Sequence, residues 1–250
     1  MKKQLEESPY VPIKANGKHY ELSQLYDDQA WIAYQVLSKI KEWFECTSFE
    51  DFKPLRCTVN GGGGVGKSVL INTLASVVRR FTNVQDSVIV TAPTGTAAFN
   101  VNGETLHSVT GQGINNNDFD VDCLSQTKRE HLLKRFKSCL LLIVDERSML
   151  TSELLGRAEL TIQSVAYEGA QIQDTTFGGI PVVLIAGDDY QLSGITEGAH
   201  ECTISHPHTK KYTKKPLIRG RQLFRELAHT VFELPKARRI KRITAEIKRS

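Results

Sequence analysis

The run Gly61-Gly62-Gly63-Gly64-Val65-Gly66-Lys67-Ser68 sets glycines, one ammonium and one hydroxyl at the spacing G-x-x-x-x-G-K-[ST]. Glycine allows backbone angles and close approaches that a Cβ blocks, so successive N–H groups can surround phosphate oxygens. The pattern predicts an ATP-binding loop from Gly61 to Ser68. Lys67 would reach the β- and γ-phosphates, and the Ser68 hydroxyl would ligate Mg²⁺. A second constellation follows in Leu140-Leu141-Leu142-Ile143-Val144-Asp145-Glu146, an apolar run that delivers two carboxylates. Asp145 suits a metal ligand that acts through the metal's waters, and Glu146 a group that positions or deprotonates attacking water. A kinase must exclude water, so the second carboxylate favours hydrolysis. A third segment, Gly187-Asp188-Asp189-Tyr190-Gln191-Leu192, again ends an apolar run. The neutral amide of Gln191 could bond the γ-phosphate before cleavage and lose it afterwards; an ordinary Gly-Asp turn is the alternative.

These residues need a scaffold that brings them to one edge. Asp27 or Asp28 can cap a helix in which Ile32, Val36, Leu37, Ile40 and Phe44 recur at helical spacing. Leu55–Asn60 reads as a strand before the glycine run, and Leu70, Leu74, Val77, Val78 and Phe81 form one stripe on the helix after it. Ser87–Ala92, Leu140–Val144 and Pro181–Ala186 are further buried-type strands, and Val231–Leu234 is a short one. Helices are expected at Lys128–Lys137, Ser152–Ala166 and Arg221–His229, with a polar loop at 111–126 and a long basic connection at 194–220. Apolar strands alternating with helices predict an α/β fold, a parallel P-loop NTPase sheet sandwiched between helices. Chemistry then gathers at the carboxyl ends of the strands, where each segment named above begins. Residues 1–22, with Pro9 and Pro12, read as irregular.

Composition narrows the classes. No apolar run approaches the ~18 residues that a membrane span needs, and the polar N-terminus has no secretory signal. The five cysteines are scattered, odd in number and without a Cys-x-x-Cys pair, which suits a reducing compartment. The net charge of +4 is uneven: Thr209–Ser250 carries 14 Lys/Arg against 3 Asp/Glu, leaving the preceding 208 residues at −7. That basic segment could track a polyanion, or it could be a solvated tail. His200, Cys202, His206 and His208 match no zinc template well. Trp31 and Trp43 are expected to pack rather than to stack on bases.

Thr91-Ala92-Pro93-Thr94-Gly95-Thr96-Ala97-Ala98-Phe99-Asn100-Val101-Asn102-Gly103-Glu104-Thr105-Leu106-His107-Ser108 strongly resembles motif Ia of the PIF-type, RecD-like superfamily 1B DNA helicases. Asp145-Glu146-Arg147-Ser148-Met149 resembles that family's D-E-x-S-M, and the Gly187 segment its G-D-x-x-Q-L. Gln29 looks like the Q-motif glutamine that reads adenine. Leu234-Pro235-Lys236-Ala237-Arg238-Arg239 looks like the approach to motif IV. Its γ-phosphate arginine would be Arg239, with Arg238 the other choice. The chain departs from the family at Ser193-Gly194, where Pro-Pro is usual, and at Ile240, where glutamine is usual.

The resemblance implies a RecA-like motor domain over residues 23–240, a basic tail at 241–250, and a second RecA-like domain absent from this chain and supplied by the remainder of a longer protein. It implies ATP, Mg²⁺ and single-stranded DNA as ligands, 5′-to-3′ movement, and family roles in DNA repair, recombination and telomere maintenance. Thr94, Gly95, Asn100 and His107 become the expected DNA contacts, through polar groups and close backbone approach. His107 is equally open to reading as a buried, satisfied histidine. The expected setting is intracellular and soluble: the nucleus in a eukaryote, otherwise the cytoplasm. A chain limited to one domain could instead be a nucleotide-gated binding module with negligible turnover. A GTPase is disfavoured, because no Asn-Lys-x-Asp is present.

Overall fold

The computed structural model describes residues 20–48, 51–111, 124–166, 176–188 and 215–235. Its elements are α1 (Asp27–Glu45), β1 (Leu55–Asn60), α2 (Lys67–Thr82), β2 (Val88–Ala92), α3 (Gly95–Asn100), β3 (Glu104–Thr105) and α4 (Leu106–Thr110). There follow α5 (Gln126–Lys137), β4 (Leu141–Val144), α6 (Ser152–Ala166), β5 (Val182–Gly187), α7 (Lys215–Leu227) and β6 (Val231–Glu233). The strands form one sheet in the order β3-β2-β4-β5-β1-β6, every pairing parallel. This is the expected RecA-like α/β architecture.

Buried side chains divide between the two faces with the period of two that a strand imposes. Val88, Val90, Leu141, Ile143, Val182 and Leu184 join α1 and α2 on one face. Ile89, Leu142, Val144, Val183 and Ile185 join α4 to α7 on the other. β4 and β5 are buried at every position, as central strands covered on both faces must be. Because all strands run one way, their carboxyl ends share an edge, and Asn60, Asp145 and Gly187 arrive there together.

Three local expectations are corrected. α1 is capped by Tyr26, with Asp27 and Asp28 inside its first turn. Phe44 lies off the buried face, more than half exposed, and meets Phe81 edge-on at its rim. α7 begins at Lys215, six residues before the expected Arg221, so the end of the supposed basic connection is helical. The short elements α3, β3 and α4 escaped the sequence pattern, because segments this brief show no periodicity. The two tryptophans pack edge-on against phenylalanines, Trp31 on Phe232 and Trp43 on Phe52.

Near the site, α7 delivers the chain into β6, and its seat on α6 is close. A Cβ at Gly156 or Gly220 would strike the backbone of the facing helix. Beside this contact Glu159, wholly buried, accepts two hydrogen bonds from the Arg219 guanidinium at 2.8 and 2.9 Å and a third from the Phe177 amide at 3.3 Å. Among the described cysteines, Cys46, Cys57 and Cys139 are free, and burial pushes the Cys57 and Cys139 thiols up to about 12. Among the described residues, no helix is long and apolar enough to cross a membrane.

Glu159→Ala should lower the unfolding free energy by about 3 kcal/mol, because Arg219, half-buried, would lose its bidentate carboxylate and the Phe177 amide its acceptor. Replacing both partners together, Glu159→Leu with Arg219→Met, should cost less than the single change. Urea denaturation of the three proteins checks the order.

Candidate functional site

β1 ends at Asn60 between two neighbours, Gly187 of β5 and Glu233 of β6. Beyond it the Gly61 amide donates to the Gly187 carbonyl at 3.1 Å, so the glycine run leaves the sheet from a fixed point. A Cβ on Gly61 would press on Val65 Cγ2 at 2.9 Å and on the Leu234 carbonyl at 3.0 Å, which restricts this position to glycine. Val65 is buried in the α1–α2 core and anchors the loop's far side. Gly66 has φ +95°, a left-handed backbone, and caps α2. The amides of Gly62 to Ser68 donate to no backbone carbonyl among the described residues. With the N-terminus of a 16-residue helix behind them, they form a nest of donors suited to phosphate oxygens.

Lys67 Nζ donates to the carbonyls of Gly61 and Gly62. The ammonium thus lies folded over the loop, where a phosphate could exchange for those carbonyls. It is near enough to Asp145 for its charge to pull that carboxyl's pKa down. Burial is the largest influence and acts in the opposite direction. The Glu146 backbone amide, by hydrogen-bonding the carboxylate, lowers the pKa more than Lys67 does, Glu146's charge reinforces burial, and Asp145 titrates above the ordinary carboxylate range. Asp145 is 7% exposed, and its Oδ1 is buried with no hydrogen-bond partner among the described residues. A desolvated carboxylate within reach of the Lys67 charge, with the Ser68 hydroxyl at the start of the helix after the glycine loop, is a donor set whose chemistry fits Mg²⁺ carried by a triphosphate. Ser68 lies exposed at the first turn of α2.

Glu146 sits at φ 59°, ψ 54°, a left-handed conformation that costs a non-glycine residue on the order of 1 kcal/mol or more. Its Oε1 accepts from the Ser148 hydroxyl at 3.2 Å. Sequence reasoning gives Ser148 no role, and its separation of two residues from Glu146 is the signal that could have found it. Asp188 goes unassigned in the same way. It is buried, and its Oδ2 lies 3.8 Å from where a Gly62 Cβ would stand.

Gln29 is 1% exposed and spans α1 and the loop. Its Nε2 donates to the Val65 and Gly66 carbonyls, both at 3.2 Å, and its Oε1 accepts from the Tyr26 amide at 3.1 Å. The amide expected to read adenine is here committed to bracing the phosphate loop.

The expected DNA contacts form a separate group beyond β2. Thr94 caps α3, its hydroxyl accepting from the Ala97 amide at 3.3 Å. Gly95, Thr96, Phe99 and Asn100 make the exposed face of that helix, and Phe99 is 73% exposed. His107 is half-buried on α4; burial, then the charge of Arg157, draws its pKa down and favours the neutral ring. Gln191, Arg238 and Arg239 lie outside the described residues, as do His200, Cys202, His206 and His208.

A profile of the PIF1-like helicases matches residues 38–244, most of the chain. The chain belongs to the PIF1-like helicase family. It is 33% identical over 139 residues to the ATP-dependent DNA helicase RRM3 of Saccharomyces cerevisiae, covering 55% of this chain and 18% of that protein. It is 28% identical over 190 residues to the ATP-dependent DNA helicase PIF1 of Danio rerio, covering 75% of this chain and 28% of that one. Among solved structures, Pif1 helicase from Candida albicans matches at a TM-score of 0.57 and 26% identity over 86% of this chain and 40% of its own. Bacteroides Pif1 bound to single-stranded DNA matches at 0.53 and 26%, over 86% and 42%. The chain therefore spans less than a third of the RRM3 and PIF1 relatives it matches.

Asp145→Asn removes a charge that burial disfavours, so without nucleotide the variant should melt above the wild type at neutral pH. The sign follows from the raised pKa. The folded state holds its proton more tightly than the unfolded one, so stability is lost as pH rises through the folded value and the cost is absent below the unfolded value. The difference in melting temperature should therefore vanish in acid, as thermal scans across pH would record.

Proposed function

We propose that this chain is the ATP-hydrolysing motor domain of a DNA helicase that moves 5′ to 3′ on single-stranded DNA. The observation that carries the reading is the nearness of the Lys67 charge to the buried Asp145, beside a loop whose amides donate to no backbone carbonyl among the described residues. In this reading the amides of Gly62 to Ser68 and the Lys67 ammonium hold the β- and γ-phosphates of ATP. Ser68 and Asp145 hold Mg²⁺, which when bound neutralises phosphate charge. Glu146, steadied by Ser148, orients water and accepts its proton as the bond from water oxygen to γ-phosphorus forms and ADP leaves. Gln191 and Arg239 are proposed as the γ-phosphate sensor and the charge-stabilising arginine.

Single-stranded DNA is assigned to the exposed face of α3 with Thr94, Gly95, Asn100 and His107. Membership in the family supports this assignment, and so does the open space about Gly95, where a Cβ would meet no atom within 4 Å. Translocation would use a second RecA-like half that closes over the nucleotide, with residues 23–240 acting as the first half.

The test is nucleotide binding followed by turnover. Lys67→Ala should weaken a fluorescent ATP analogue about 10- to 100-fold, the worth of a charged hydrogen bond to phosphate; equal affinity for both proteins would end the reading. Glu146→Gln should retain binding while hydrolysis falls by about 10²–10⁴. Affinity for oligo(dT) should fall steeply with salt, as phosphate contacts release counterions.

A further inference from the structure

Among the described residues, a polar contact joins α2 to the turn after α3. Asn72 lies one turn after Ser68 on α2, 7% exposed, in a stretch where Leu70, Ile71, Thr73 and Leu74 are also buried. Its Nδ2 donates to the Ser68 carbonyl at 2.7 Å, and its Oδ1 accepts from Asn102 Nδ2 at 3.0 Å. Asn102 stands two residues beyond α3, with φ 53°. The turn that holds it is fixed on its other side. The Gly103 amide donates to the Ala98 carbonyl at 2.8 Å, and a Cβ on Gly103 would strike the Val90 backbone.

We propose that Asn72 and Asn102 are positioning residues that couple nucleotide occupancy at Ser68 to the DNA-facing segment around α3. The proposal rests on the motor reading above. A buried asparagine is a poor helix former and costs desolvation, so an apolar residue would serve packing alone better. What the amide adds is a contact of narrow length. Apolar surfaces slide past one another with little change in energy, whereas a hydrogen bond weakens over a few tenths of an ångström. A shift of the α2 start as the loop closes on phosphate is therefore passed to Asn102, and from there to Asn100 and the exposed face of α3. Neither asparagine touches the nucleotide's expected position.

The experiment titrates a fluorescent ATP analogue into the full 250-residue chain with and without oligo(dT). It compares wild type, Asn102→Gly and Asn72→Asp. Asn102→Gly keeps the left-handed backbone and removes only the amide. Asn72→Asp keeps the acceptor for Asn102 and sets a carboxylate against the Ser68 carbonyl. In the wild type, oligo(dT) should change nucleotide affinity by a factor of about 5 or more, and nucleotide should change oligo(dT) affinity by the same factor. In both variants that factor should fall toward one, while each ligand alone binds within about twofold of wild type, the scale on which uncoupled sites act independently. A merely structural role would weaken both ligands and leave the factor intact, which would overturn the link. Wild-type chain that binds oligo(dT) without coupling would also overturn it and spare the motor reading. Wild-type chain that fails to bind oligo(dT) would sink the DNA half of that reading, and the link with it.

Discussion

Burying Asp145 at the end of β4 costs free energy, because one of its oxygens has no partner among the described residues and Glu146 adds negative charge beside it. The surrounding structure partly offsets that cost through the Glu146 backbone amide and, more weakly, the Lys67 ammonium, and a metal-bound triphosphate would offset it further. The site is thus built in a state of electrostatic want. The arrangement depends on a sheet whose strands all point the same way, which is what brings β1, β4 and β5 to one edge.

The glycine run is flexible only in the sense that its residues lack side chains. Its beginning is tied to Gly187, its middle is anchored by Val65 in the core, and its end is held by the Gln29 amide. Preorganisation of this kind matters because donors already aimed at an anion need not lose conformational entropy when it arrives. The left-handed residues Gly66 and Glu146 serve the same end. Each sits where the chain must turn sharply to present a charged group, and the packing around it holds the turn in place.

The face beyond β2 has a different character. It consists of short helices capped by threonine hydroxyls, Thr94 for α3 and Thr105 for α4, with an exposed phenylalanine and asparagine between them. Local capping gives such brief elements a definite shape, and α4 adds Leu106 and Val109 to the core shared with α5 to α7. α3 packs Ala97 and Ala98 against Ala92 of β2, and beyond it Val101 joins the α1–α2 core while Asn102 bonds Asn72 of α2, the helix that begins at the glycine loop. α2 starts at the glycine loop and, through Asn72, bonds the turn after α3, so it touches both this face and the strand-end edge.

The phosphate loop, the paired carboxylates and the order of strands and helices were legible in the residues alone. Each rests on local rules: glycine where a Cβ is excluded, period-two and period-3.6 burial, and carboxylates directly after an apolar run. The engagement of Gln29 with the loop, the place of Asp188 beside Gly62, and the pairing of Asn72 with Asn102 were not legible. These contacts join residues that are distant in the chain or differ only in side-chain direction, and no spacing rule encodes them. The short elements α3, β3 and α4 were hidden for a related reason, since their form is set by caps and by the neighbouring sheet rather than by a repeating apolar pattern. Sequence determined which groups could do chemistry and the strand ends from which they would emerge. Tertiary packing decided which of those groups are desolvated, braced or linked, because burial and hydrogen-bond partnership are properties of the folded surroundings.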